Sequence, residues 1–184
     1  MNASPKDESE LHLVGGINLD KRLGDWVAGA VKVKAVVFDC TEGALSPGFG
    51  TNRRLVEEGV EHPFIIRKAS KYLTATEIAD LADLVTGEHE PPSAAGCYVP
   101  HHGFIFYGED NSIVANIEIC LMCGRGYEFP DRGLAESWDF EGLTEFISAI
   151  GLPVFEDAAD WRSYFEKNQQ EVEQGGGGNG GQRR

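Results

Sequence analysis

The chain has 184 residues, 41% of them hydrophobic and 10% aromatic, enough apolar material for one ordinary core and too much for a disordered chain. Its 30 acidic and 16 basic residues give a net charge of −14, which argues against nucleic-acid binding and against an anionic membrane surface. An acidic surface serves solubility, and it also suits a basic protein partner.

The opening "MNASPKDESE" is polar and acidic, with no apolar stretch of the secretory kind. No apolar run reaches membrane-spanning length, so the expected setting is cytoplasmic, where thiols stay reduced. Residues 1–10 are expected to form a disordered tail and 11–173 a single domain. From Gln174 the Gly-rich "QGGGGNGGQRR" is expected to be flexible.

"VKVKAVVF", from Val31 to Phe38, alternates and then fills with β-branched residues, which predicts a strand. The continuation "KAVVFDCTEGAL" resembles the opening motif of haloacid-dehalogenase-like phosphatases, in which Asp39 would be the nucleophile. Thr41, however, stands where that motif has its second aspartate. A carboxylate nucleophile lacking its proton donor has little chemistry available, so Asp39 reads as a strand running into a polar turn. Cys40 reads as a small core residue.

"PFIIR", from Pro63 to Arg67, predicts a second strand. Then "LTATEIADLADLVTG" changes period. Thr74 and Glu77 form a capping box, Ile78, Leu81 and Leu84/Val85 line one face, and Gly87 stops the helix. "HGFIFY" and "SIVANIEIC" around "GEDN" predict a β-hairpin spanning about 102–120. A loop rich in glycine follows, whose aromatics Tyr127, Phe129 and Trp138 either dock a partner or pack inward. Asp139 caps a helix ending at Gly151, with Leu143, Phe146, Ile147 and Ile150 on its buried face. Trp161, Tyr164 and Phe165 mark a last helix. The expected fold is α+β: one antiparallel sheet built around the hairpin and packed by about three helices.

Three of the four cysteines and two of the five histidines fall between residues 97 and 124. Zinc takes four soft or borderline ligands, usually delivered as two close pairs. Cys120 and Cys123 form one pair, and Gly124 permits the turn that aims both sulfurs at one point. Cys97 with His101 or His102 is the second, and the hairpin carries it beside the first. With Tyr107 opposite Ser112, His101 shares a face with Cys120, whereas His102 joins the apolar face. A one-residue slip reverses that choice.

Rival readings are a redox dithiol, a Cys–His nucleophile and inert buried thiols. A redox pair works best at a helix N-terminus, and Cys120 instead follows a strand with Glu118 nearby. Glu118 is the candidate base if a zinc position were left open to water.

The pattern Cys97, Pro100, His102, an apolar strand, an acidic turn, then Ile117, Ile119, Cys120 and Cys123 resembles a family of small bacterial proteins. The later "LTEFISAIGLPV" is similar to that family's closing helix, so the likeness spans roughly 70–155. It implies His102 rather than His101, and brings no activity, substrate or cofactor with it. The expected metal set is therefore Cys97, His102, Cys120 and Cys123 around a structural zinc. Functionally the expectation is a non-catalytic binding protein. The alternative is an enzyme, either a thiol oxidoreductase using Cys120 and Cys123 or a zinc-dependent hydrolase.

Overall fold

A computed structural model describes residues 24, 26–40, 54–87, 89–90, 98–133 and 138–175, with side chains through 168. The expected tail 1–10 and residues 176–184 lie outside that set. The chain separates into two compact units, 1–153 and 154–184. Among the described residues no helix is long and apolar enough to cross a membrane.

The first unit holds a five-stranded sheet of β1 (Lys32–Phe38), β4 (Ile65–Tyr72), β5 (His102–Tyr107), β6 (Ile113–Cys120) and β7 (Arg125–Phe129). The order is β4-β1-β5-β6-β7, and every neighbouring pair is antiparallel. A separate hairpin joins β2 (Val56–Glu57) to β3 (Val60–Glu61). Its two-residue turn has Glu58 at φ 50 and Gly59 at φ 78, the left-handed pair that a tight hairpin requires. With α1 (Ala75–Thr86) and α2 (Phe140–Ala149) the unit has the expected α+β class.

Both sheet faces carry buried apolar side chains, because β1 and β5 are interior strands of the sheet. The pairs Val33↔Phe106 and Ala35↔Phe104 look one way, and Phe104 meets Phe146 of α2 at 6.0 Å. α1 packs beside α2, where the Asp139 amide donates to the Leu84 carbonyl and Gly142 seats against Leu84. The Thr74 capping box is present as expected. On the opposite face Val36, Phe38, Cys40, Leu55, Ile65, Ile105 and Tyr107 form one buried cluster. Cys40 is thus a core residue.

Three elements differ from expectation. "GRGYEF" is the edge strand β7 rather than loop. Trp138 lies so close over Gly126 that a Cβ there would come within 2.0 Å of its ring, so the glycine that hides the strand signal is required by packing. Trp138 is buried, while Tyr127 and Phe129 are exposed. The strand beginning at "PFIIR" continues to Tyr72, and the β2–β3 hairpin lies in a stretch with no predicted element.

The second unit holds α3 (Ala158–Gly175). Within it Phe155, Tyr164, Phe165 and Trp161 form a ladder of ring contacts between 5.3 and 6.1 Å.

Candidate functional site

The cysteine–histidine region divides between the two sheet faces. His102 pairs with Ile119, and by alternation His101 stands opposite Cys120. The bulge at Phe106/Tyr107 replaces the Tyr107–Ser112 pairing with Tyr107↔Ile113, which changes the register without changing its parity. His102 therefore looks toward the Phe104 side, away from Cys120, and its Nε2 donates to the Pro153 carbonyl at 2.7 Å. His101, on the Cys120 side, has Nδ1 3.3 Å from the Phe38 carbonyl. Burial pushes both imidazoles down to about 4, overriding the carbonyl partners, so both are neutral near pH 7.

Cys120 and Cys123 are buried thiols, neither of them in a disulfide. The knuckle turn forms as the sequence implies: Leu121–Cys123 is a single 3-10 turn, closed by Gly124 at φ 57. The Cys123 thiol donates to the Cys120 carbonyl at 3.8 Å. Cys97 lies outside the described residues. Among the described residues no group of three or more His, Cys, Asp or Glu side chains is placed to hold a metal ion. The choice of His102 as partner to Cys120 finds no support in this geometry.

Glu118 is buried on the Cys120 face, accepting from the Leu55 amide at 2.8 Å and the Tyr98 hydroxyl at 3.3 Å. Burial raises its pKa against those hydrogen bonds and the charge of Arg54. Its two bonds tie down residues on either side of the sheet sequence, and Leu55 lies over Gly103, where a Cβ would meet it at 2.3 Å. The carboxylate closes this end of the face.

The other end opens into a groove of about 750 Å³ between the β2–β3 hairpin and strands β4, β1 and β5. Its walls carry Lys34, Arg67, Lys71, Tyr72 and Tyr107, with Glu61 reaching in from β3. Register explains the convergence, because Lys34 pairs with Tyr72 on one side and Ile105 on the other, with Tyr107 two residues further along β5. Glu61 accepts from Lys34 Nζ at 2.7 Å through one oxygen and from Tyr107 Oη at 2.6 Å through the other. Burial would raise the Glu61 pKa, but the Lys34 and Tyr107 hydrogen bonds and the charges of Lys34 and Arg67 together hold it below the usual carboxylate range. Burial raises the Tyr107 phenol, and the neighbouring carboxylate raises it further. Beside the groove, the Lys32 ammonium lies 5.5 Å from the Tyr72 ring centre and 5.3 Å from that of Tyr107.

His62 lines the inner end, its Nδ1 accepting from the Phe64 amide at 3.3 Å. Its Nε2 is buried with no hydrogen-bond partner among the described residues. Burial lowers its pKa, against the pull of Asp39 and Glu57.

The sequence marks none of the groove residues as part of a binding site, although Tyr107 and Pro63 to Arg67 figure in its predicted strands. The available signals were Lys32 and Lys34, two cations alternating inside a strand of a strongly acidic chain, and "EEGVE", a tight turn between acidic residues. No family model, curated protein or solved structure matches the chain.

Proposed function

We propose that the chain is a non-catalytic binding protein that holds a small ligand in the groove between the β2–β3 hairpin and the sheet. The observation that carries this reading is a local reversal of charge. In a chain of net charge −14, Lys34, Arg67 and Lys71 line one groove with a single carboxylate, Glu61, which is held by Lys34 and Tyr107. Lys71 is paired with Glu77, outside the lining. The volume of about 750 Å³ falls within the range of small-molecule sites. Cations, phenols, Ser70 and Asn111 supply orientation and hydrogen bonds, the chemistry of retention rather than turnover. The buried thiols Cys120 and Cys123 sit at a strand end, outside the groove lining.

A fragment panel followed by amide chemical shifts tests this. Hits should move the resonances of Ser70, Tyr72, Tyr107 and Asn111. Shifts confined to other surfaces, or none at all, would defeat the reading.

The knuckle turn favours a second reading, a structural zinc held by Cys97, Cys120 and Cys123. The imidazole on the Cys120 side is His101, so that histidine rather than His102 would be its fourth ligand. Metal content of protein purified without chelator, with a free-thiol count, tests it. One zinc per chain and three protected cysteines support it, whereas four reactive thiols and no metal would dismiss it.

A further inference from the structure

Lys34 and Glu61 are unequal partners. Lys34 stands on β1, hydrogen-bonded on both sides within the sheet, and its side chain is 17% exposed against 35% for Glu61. The ammonium is a fixture of the sheet at the wall of the groove, where an anion or groove water beside it stabilises the charge. The carboxylate comes from a two-residue strand that, among the described residues, pairs only within its own hairpin. Glu61 is about one-third exposed, so rotation about its own side-chain bonds would carry the carboxylate into solvent.

The donors it leaves behind form a receptor for two oxygens. Lys34 Nζ and Tyr107 Oη each hold a different oxygen of one carboxylate, at 2.7 and 2.6 Å. A charged donor and a neutral donor converging on two oxygens of one group is the pattern of oxyanion recognition. Arg67 lines the same groove and its charge already acts on Glu61, so it acts equally on any anion put there. Tyr72, 44% exposed, offers a ring face next to the position.

We propose that the ligand carries an oxyanion, a carboxylate or a phosphate group, that displaces Glu61 and binds between Lys34 Nζ and Tyr107 Oη. This inference rests on the groove-binding reading above and names its ligand class. Glu61 is then an internal stand-in that neutralises Lys34 while the groove is empty and competes with the incoming anion. No covalent step is involved.

The test titrates full-length protein with inorganic phosphate in one arm and benzoate in the other, at constant ionic strength set with chloride. Binding is read from amide shifts and from the thermal midpoint. Wild-type protein should bind weakly, and Glu61→Ala should bind at least one of the two probes tenfold or more tightly, with the anion raising its thermal midpoint. Lys34→Met in the Glu61→Ala background should abolish that gain. The double variant leaves no unpaired charge, so its fold should be retained, and circular dichroism checks this. Tyr107→Phe should reduce the gain severalfold.

Tightening for phosphate alone identifies a phosphate ligand, and for benzoate alone a carboxylate. Affinities unchanged by Glu61→Ala, or a gain that survives Lys34→Met, would overturn the proposal. If fragments still shift groove resonances in that event, the groove reading stands and only the ligand class is lost. If nothing binds the groove in any variant, both are lost.

Discussion

Glu118 and Glu61 occupy opposite ends of one sheet face, and their surroundings set them different tasks. Glu118 is buried, accepts from a backbone amide and a phenol, and has its pKa raised because burial outweighs those bonds. Glu61 is about one-third exposed and ion-paired, with its pKa lowered by Lys34 and Tyr107 despite some burial. The first carboxylate satisfies groups that the fold has already buried, so removing it leaves orphans. The second neutralises a cation from a position it can leave. A buried hydrogen-bonded acid is part of the structure, whereas a partly exposed ion-paired acid is an exchangeable ligand of its own protein.

Truncation at the closed end should have the largest effect. Leu55 is fully buried above Gly103 and belongs to the apolar cluster, so Leu55→Ala should cost about 2–5 kcal/mol in urea denaturation. Glu118→Ala leaves the Leu55 amide and the Tyr98 hydroxyl without their acceptor, and should cost about 2–3 kcal/mol. Glu61→Ala should cost no more than about 1 kcal/mol, since the pair lies on the wall of an open groove and water entering it hydrates Lys34. If Glu61→Ala proved as damaging as Glu118→Ala, the two ends would be alike and the exchangeable role would fail.

The closed end was more legible in the sequence than the open one. Alternation in "HGFIFY" and "SIVANIEIC" reveals the hairpin, but its register leaves His101 and His102 open, and the family resemblance points to His102. The capping residues Thr74 and Asp139 are local signals, written within four residues of the groups they satisfy. The groove has no such local signature. It joins Lys34, Glu61, Tyr72 and Tyr107, residues as much as 73 positions apart (107 − 34), brought together by the pairing of β1 with both β4 and β5. Antiparallel pairing across an intervening helix leaves no periodic trace. β7 was hidden for a different reason: Gly126 has no side chain to show alternation, because Trp138 occupies that space.

The smallest effects are pH slopes, and they separate the groove's two titrating groups. Glu61 has its folded pKa below the ordinary value of 4.5, so it contributes stability above pH 4.5 that is lost as pH falls through the folded value. His62 has its folded pKa below 6.5 because burial favours the neutral ring. Below pH 6.5 the unfolded imidazole takes up a proton that the folded one refuses. Stability therefore declines as pH drops from 6.5 toward the folded value, by at most about 1.4 kcal/mol per pH unit for one proton. His101 and His102, with values of about 4, act in the same upper window, so His62→Gln should remove only its own share of that slope. Glu61→Gln should leave the upper window untouched and flatten the curve below pH 4.5. Urea midpoints measured from pH 7.5 to 3.5 for the three proteins read both windows. A loss of slope above pH 5 in Glu61→Gln would mean that Glu61 is not held low by Lys34, and would return it to the same class as Glu118.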